Sequence, residues 1–239
     1  MEYLRFFLIF FIYSVIGYLV EFIYCSIKEK RLVFNRGFLI GPYLPIYGVG
    51  AVIMINILDQ YKNDLLVLFI MSMVVCTIIE YITSFILEKI FSIRWWDYQD
   101  RKYNINGRVC LENSFFFGIA GVIQIRYFNP FINRIIDLIP KTGFMIISIS
   151  LLVIFLADII ITLNAMSKIK ISLIRFTNTD ATAELKLVMN KTIKTSNFFI
   201  TRIFNAFPRI NLTKVGDITS FKNYLGSIKT KNKTKRRKS

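Results

Sequence analysis

Five long apolar segments separated by short loops constrain this chain more than any other feature of its sequence. A helix needs about 20 apolar residues to cross a hydrocarbon core of about 30 Å. Runs near this length, each with at most one charged residue, cover 6–27, 38–58, 65–87, 109–125 and 143–166. Composition agrees, because 54% of the residues are hydrophobic, whereas soluble domains hold about 45–50%. The sequence therefore predicts an all-α polytopic membrane protein with about five transmembrane helices.

The basic residues of the loops predict how this protein is oriented. The loops after the first and third segments hold four and five Lys or Arg, and such residues collect on the cytoplasmic side. Residues 167–239 add 17 of the 31 basic residues and only three of the 15 acidic ones. With five spans, both loops and this tail share one side, which places the N-terminus outside and the C-terminus in the cytoplasm of a cell membrane.

The chain divides into a transmembrane domain, residues 1–166, and a basic cytoplasmic tail, residues 167–239. Apolar residues recur at near-helical spacing between Leu185 and Phe207 with Lys and Arg between them, which predicts an amphipathic helix on anionic membrane lipid. Residues 229–239 hold seven Lys or Arg and are predicted to be disordered. Nucleic acid is not expected as a partner, because no recognition fold accompanies the charge.

The first two pairs of apolar segments look like a duplication. Glu21 and Glu80 each precede a Glu-Lys pair by eight residues, and a basic loop with an Asn/Gly/Arg cluster follows both times. The next span then carries glycines in each half. This pattern predicts a parallel two-helix repeat, and transporters built from repeats often bind substrate near the repeat interface.

Three carboxylates interrupt otherwise apolar spans, namely Glu21, Glu80 and Asp158. Each lies six to eight residues from the predicted cytoplasmic helix end, which corresponds to a depth of roughly 9–12 Å. Because a lipid-facing carboxylate costs on the order of 2.5 kcal/mol or more, all three are expected to face the interior. They form either one cluster that binds a cation, a proton or a cationic substrate, or three separate structural pairs with bases such as Arg36, Arg108 or Lys28.

The segment from Asn35 to Tyr47 is the first candidate for a functional surface. Pro42 and Pro45 each lack a backbone donor, so a helix entered through them begins irregularly. Irregular backbone survives at membrane depth only where protein or a water-filled cavity covers it. The sequence therefore predicts a polar cavity on the cytoplasmic side, lined by this segment, by 106–110 and by the three acids.

Two arginines with neighbouring asparagines are the next candidates for a binding site: Asn35, Arg36, Asn106 and Arg108. A guanidinium can hold a carboxylate or a phosphate through two parallel hydrogen bonds. The alternative is that both arginines follow the positive-inside rule and contact lipid headgroups. The adjacent Trp95 and Trp96 are interpreted as anchors at the headgroup level.

The sequence lacks the residues that several classes of protein function require. The chain has no histidine and no Walker sequence, and its three cysteines show no ligand-like spacing, so no nucleotide, cofactor or metal site is expected. An ATP-driven function requires a separate ATPase subunit.

Several motifs resemble the bacterial membrane-protein family labelled "putative ABC-transporter type IV". The motifs are Asn35-Arg36-Gly37-Phe38-Leu39, Gly41-Pro42-Tyr43, Pro45-Ile46-Tyr47-Gly48, Trp95-Trp96-Asp97-Tyr98 and Asn104-Ile105-Asn106-Gly107-Arg108, in a stretch of about 5–165. Leu44 stands where the resemblance leads us to expect cysteine. The label implies a permease that works with an ATPase.

Three functions follow from these observations. The first is a transporter permease subunit whose carboxylate cluster binds its substrate or ion. The second is a membrane adaptor or assembly factor that recruits partners through the basic tail. An enzyme acting on lipid-linked substrates ranks last, because no nucleophile–base pair is visible. The sequence is also compatible with a homo-oligomer, in which the partner is a second copy of the chain.

Overall fold

The computed structural model describes residues 1–30, 32, 37–91, 93–178 and 211–212, with 28, 29, 93, 168–178 and 211–212 described by backbone alone. It consists mainly of helices. The helices are α1 (Glu2–Glu29), α2 (Pro45–Leu58), α3 (Leu65–Phe91), α4 (Leu111–Ile123), α5 (Asn129–Asp137) and α6 (Lys141–Asn178). A 3₁₀ turn, Asp59–Tyr61, follows α2, and a π-helical turn, Gln124–Phe128, joins α4 to α5.

Four two-residue strands complete the described elements. They are β1 (Ile93–Arg94), β2 (Asn104–Ile105), β3 (Val109–Cys110) and β4 (Asn211–Leu212). Strand β1 pairs antiparallel with β4, and β2 pairs antiparallel with β3. The β2–β3 hairpin lies between α3 and α4, so part of the loop that precedes α4 is a regular hairpin.

The described helices include four that are long and apolar enough to cross a membrane: Glu2–Ile27, Leu65–Phe91, Leu111–Asp137 and Lys141–Ser167. The expected all-α polytopic membrane protein is therefore confirmed. The predicted second span, 38–58, is a helix only from Pro45 to Leu58. These 14 residues rise about 21 Å, which is less than the hydrocarbon thickness. Pro45 stands at the start of α2, where a proline is tolerated, and residues 37–44 are irregular.

The fourth span is longer than the sequence suggested. The prediction ended it at residue 125, before Arg126, but the helical run continues through the π-helical turn to Asp137. Arg126 and Arg134 are both exposed, so their side chains point away from the bundle. A long arginine side chain can extend its charged end to the membrane surface, which explains why Arg126 does not end the helix.

The last span also continues beyond its predicted end. Helix α6 includes the predicted span 143–166 and runs on to Asn178, across the predicted domain boundary at 166/167. The amphipathic helix predicted between Leu185 and Phe207 and the tail end 229–239 lie outside the described residues.

Helices α1 and α2 form one antiparallel hairpin, and α3 and α4 form another. A side chain at Gly17, late in α1, would meet the ring of Tyr47 at the start of α2. Ala51, further along α2, packs with Leu8 and Ile9, early in α1. The two hairpins meet through a cluster of Met54, Leu58, Leu68 and Ile125, and helix α6 packs on α1 through Phe155.

The same close contact recurs in both hairpins. A Cβ placed on Gly48 of α2 would collide with the Ser14 hydroxyl of α1, and a Cβ placed on Gly121 of α4 would collide with the Ser72 hydroxyl of α3. Both serines are fully buried. Glycine against a small residue is how membrane helices approach closely.

Candidate functional site

The carboxylate of Glu21 lies on α1 and is held by groups from two helices. The Tyr47 hydroxyl of α2 donates a hydrogen bond of 2.9 Å to Glu21 Oε1. The Cys25 thiol, one turn further along α1, approaches Glu21 Oε2 at 3.4 Å. Tyr47 can reach Glu21 because Pro45 starts α2 at this level of the bundle.

The carboxylate of Glu80 on α3 has an equivalent partner in the second hairpin. The Tyr98 hydroxyl, from the loop between α3 and α4, donates a bond of 3.1 Å to Glu80 Oε1. Asn113 of α4 donates in turn to the Tyr98 oxygen at 2.6 Å. Burial, and then the neighbouring Glu80 carboxylate, raise the pKa of Tyr98 well above its ordinary value. Tyr98 therefore stays protonated and keeps donating to Glu80.

The charges of these two half-sites influence one another. Glu21 and Glu80 interact electrostatically with one another, and Tyr47 interacts with both carboxylates. Glu80 is 6% exposed, and its Oε2 atom has no hydrogen-bond partner among the described residues. We call Glu21, Tyr47, Glu80 and Tyr98 the acid cluster. It combines two carboxylates with two phenol hydroxyls that donate to them.

Asp158, the third candidate acid, has a different set of partners. Its carboxylate accepts hydrogen bonds from the Ile40 and Gly41 amides at 3.0 and 2.8 Å. The hydroxyls of Tyr43 and Thr162 donate two more, at 2.5 and 3.0 Å. Asp158 thus satisfies two amides of the irregular segment 37–44, and a third, that of Leu44, bonds to the Ser14 carbonyl of α1.

Arg108 does not pair with any of the three intramembrane acids. Its Nη1 lies 2.7 Å from Glu88 Oε2, an oxygen that also accepts a 3.2 Å bond from Arg94. The Arg108 guanidinium lies over the rings of Tyr81 and Phe85. Both arginines are largely buried, so Arg94 and Arg108 join β1 and the β2–β3 hairpin to α3.

Asn106 and Gly107 form the turn of the β2–β3 hairpin. Both have positive φ, 53° and 66°, as the central residues of a type I′ turn require. The Arg108 amide closes this turn on the Ile105 carbonyl at 3.0 Å. Asn106 is exposed and donates to the Tyr81 hydroxyl at 2.9 Å, so it lies apart from the acid cluster.

Two predicted site residues, Asn35 and Arg36, lie outside the described residues. Trp95 is not at a lipid-facing position, because it is 3% exposed and packs edge-on against Phe38 and Phe91. The anchor prediction is therefore wrong for Trp95. Trp96 donates to the Arg108 carbonyl at 2.9 Å.

The sequence did not single out the two phenols of the acid cluster. Tyr47 and Tyr98 both lie within the motifs that carry the family resemblance, and nothing else in the sequence pointed to them as site residues. Their pairing with acids 26 and 18 residues away depends on how the hairpins fold.

The helices and the buried carboxylates define a multi-pass α-helical membrane protein. A family model described as "Putative ABC-transporter type IV" matches residues 8–163. The chain belongs to this family, as the resemblance of its motifs predicted. No curated protein and no solved structure matches the chain significantly.

Proposed function

We propose that the chain is a transporter permease subunit in which the acid cluster binds a cation. The observation that supports this most is Glu80, which is buried, feels the charge of a second carboxylate, and has one oxygen without a hydrogen bond among the described residues. Two close carboxylates in a low-dielectric interior repel each other unless a positive charge joins them. A transport site that binds and releases a cation meets this requirement.

The division of the cluster between two hairpins supports a transport role. Glu21 and Tyr47 come from α1 and α2, while Glu80 and Tyr98 come from α3 and the loop that follows it. A relative movement of the hairpins would separate the carboxylates and lower the affinity for a shared cation. Transporters with internal repeats commonly bind substrate at such an interface.

The family description also supports a partner ATPase, because the chain itself carries no Walker sequence. With the N-terminus outside, the acid cluster would lie nearer the cytoplasmic side, on which such a subunit would dock. The basic tail would then contact anionic lipid on the same side.

Chemical modification of the carboxyls tests the cation site without knowledge of the transported substrate. Dicyclohexylcarbodiimide is an apolar reagent that forms a stable N-acylurea with protonated carboxyl groups in apolar surroundings. Membrane vesicles containing the chain are treated with it at several pH values, with Na⁺, K⁺ or Mg²⁺ replacing choline at constant ionic strength. Mass spectrometry then gives the modified fraction of Glu21, Glu80 and Glu112.

We expect Glu21 and Glu80 to be modified. We also expect their modified fraction to change with the ligand that the acid cluster binds. A bound metal ion lowers the modification of Glu80, whereas a proton site shows modification that rises on acidification and ignores metal ions. Glu112, which is exposed and paired with Arg101, is the control and should react little under any condition. Absence of modification at both Glu21 and Glu80, or a rate that ignores pH and every cation, would overturn the cation site.

The partner is tested by purification from native membranes in mild detergent and mass spectrometry of the co-eluting proteins. We expect an ATPase subunit in stoichiometric amount. A purified chain that reproducibly elutes alone, also after cross-linking in the membrane, contradicts the ATP-driven form of the proposal.

A further inference from the structure

A groove of about 590 Å³ lies beside the start of α4. Residues 100–103 of the α3–α4 connection form one wall, and the first turns of α4 form the other. Helix α4 begins the membrane-spanning run Leu111–Asp137. The groove, which we call the boundary groove, is therefore at the level where lipid headgroups give way to acyl chains.

The α4 wall of the boundary groove is mostly apolar. Leu111, Phe115 and Phe116 line it, and each of them is more than half exposed. Residues four apart, such as Leu111 and Phe115, are neighbours on one face of a helix. Because this face starts at the membrane boundary and continues into the span, it offers an apolar surface to a lipid acyl chain.

The remaining wall carries charges of both signs in equal number. Asp100, Arg101 and Lys102 come from the connection, and Glu112 comes from α4. Arg101 and Glu112 form an ion pair of 2.9 Å that joins the two walls. With two acidic and two basic side chains, the boundary groove has no net charge and does not complement an anionic headgroup.

Asp100 and Lys102 are the charges of the groove that are available to a ligand. Both are exposed and only one residue separates them. Within the part of the chain that the structure describes, neither side chain forms a hydrogen bond or an ion pair. A ligand that carries one negative and one positive group would satisfy both.

Hydrogen bonds hold the connection wall in a defined shape. The Arg101 amide donates to the Tyr98 carbonyl at 2.8 Å, and the Asn104 side chain donates to the Arg101 carbonyl at 2.8 Å. The Leu111 amide donates to the Tyr103 carbonyl at 3.2 Å, which joins this wall to the start of α4. The charged side chains therefore extend from an ordered backbone.

We propose that the boundary groove binds a phospholipid whose headgroup carries a primary ammonium, as in phosphatidylethanolamine. Lys102 donates to the lipid phosphate, the lipid ammonium donates to Asp100, and an acyl chain lies on Phe115 and Phe116. A primary ammonium has three N–H donors for charged hydrogen bonds with a carboxylate. The trimethylammonium of a choline lipid has none, and an anionic lipid would leave Asp100 beside a negative headgroup.

The lipid site and the cation site stand on separate observations. No residue of the acid cluster lines the boundary groove, so either proposal can fail without the other. The two sites share only the α3–α4 connection, through the bond between Arg101 and Tyr98. Because a ligand that binds only the folded state stabilises it, a bound lipid should raise the unfolding temperature.

Native mass spectrometry of the purified, delipidated full chain tests the lipid site. Three phospholipids with identical acyl chains and ethanolamine, choline or glycerol headgroups are titrated, and the dissociation constant of the first bound lipid is measured. The variants are Asp100→Asn, Asp100→Lys and Lys102→Gln. Lys62→Gln is the matched control, because Lys62 is also an exposed lysine in a loop between helices but lies outside the groove.

We expect the ethanolamine lipid to bind the wild type about tenfold more tightly than the choline lipid, since only its ammonium forms charged hydrogen bonds with Asp100. Asp100→Asn should remove this preference, and Asp100→Lys should shift it to the anionic glycerol lipid. Lys102→Gln should weaken the ethanolamine and choline lipids alike, because both carry the phosphate. Lys62→Gln should bind like the wild type. Thermal unfolding without lipid checks that each variant is folded.

Three results would overturn the proposal. Equal affinity of the wild type for all three lipids would show only the unspecific contact that any membrane protein makes with lipid. A preference for the glycerol lipid would assign the groove to anionic headgroups. An ethanolamine preference that persists in both Asp100 variants, or a loss in Lys62→Gln equal to that in Lys102→Gln, would place the bound lipid outside the groove.

Discussion

The two helical hairpins hold equivalent acids but support them differently. In the α1–α2 hairpin, Glu21 is bonded by Tyr47 of the second helix, and the connecting segment 37–44 is held by Asp158 of α6. In the α3–α4 hairpin, Glu80 is bonded by Tyr98 of the connection itself, and ion pairs around Glu88 hold that connection. The connection of the first hairpin depends on a helix outside that hairpin, whereas the connection of the second is held by residues of the hairpin itself.

The features that correspond in the two hairpins are therefore the acids and the glycine–serine contacts. Both hairpins carry a buried serine about two turns before the acid, seven residues before Glu21 and eight before Glu80. In both, a glycine of the next helix lies against this serine. The connections and the ends of the second helices are unrelated, since α2 ends at Leu58 but the α4–α5 run continues to Asp137.

Asp158→Ala should cause the largest loss of stability, because it leaves two buried amides and two hydroxyls of the first hairpin and α6 without their acceptor. We expect the free energy of unfolding to fall by about 3–5 kcal/mol, measured by thermal unfolding in detergent. Thr162→Val removes one of the four donors and should cost only about 1 kcal/mol. Equal unfolding temperatures for Asp158→Ala and the wild type would show that the segment needs no such support.

Glu88→Gln should weaken the second hairpin alone. It leaves the largely buried Arg94 and Arg108 without a shared carboxylate, at a cost of about 2 kcal/mol in the free energy of unfolding. Limited proteolysis at the 93–110 connection should accelerate, while cleavage near 37–44 stays unchanged. Faster cleavage at 37–44 instead would mean that the two connections support each other.

Alanine at Gly48 and at Gly121 should destabilise both hairpins, because each new methyl group meets a buried serine hydroxyl and the one at Gly48 also meets the Phe10 carbonyl. We expect a loss of about 1–2 kcal/mol in each case, measured by thermal unfolding. Gly50→Ala is the control, since nothing lies within 4 Å of a Cβ at that position. A cost at Gly50 equal to that at Gly48 would assign the effect to the helix backbone and not to the contact.

Glu112→Gln should have the smallest effect. The Arg101–Glu112 pair is exposed, with side chains 41% and 53% accessible, and exposed pairs contribute less than about 1 kcal/mol. The unfolding temperature should barely change at low salt and not at all at high salt. A large change would indicate that the start of α4 is held more tightly than its exposure suggests.

The sequence predicted the helices where length and apolarity suffice to define them, as for α1, α3 and α6. It could not predict that α2 is short, because two amides of segment 37–44, those of Ile40 and Gly41, are bonded by Asp158, which lies more than 110 residues away. It also could not place the π-helical turn at 124–128, because a run of apolar residues does not show where a helix changes its number of residues per turn.

The acids were predicted because a charge in an apolar span is conspicuous, and in the fold Glu21 acts electrostatically on Glu80. The rotation of α6 cannot be read from one sequence, so the distinct partners of Asp158 emerged only from the fold. One of the alternatives paired Arg108 with an intramembrane acid, but in the fold Arg108 pairs with Glu88, near the end of α3.

A double-mutant cycle between Glu21→Gln and Glu80→Gln tests the central claim most directly, namely that the two hairpins join their acids in one site. The free energy of unfolding is measured for the wild type, both single variants and the double variant in the same detergent. Because either glutamine alone relieves the repulsion between the carboxylates, the two effects should fall short of additivity by at least about 0.5 kcal/mol. Additivity within about 0.3 kcal/mol would mean that the acids act independently and that no shared cation site exists.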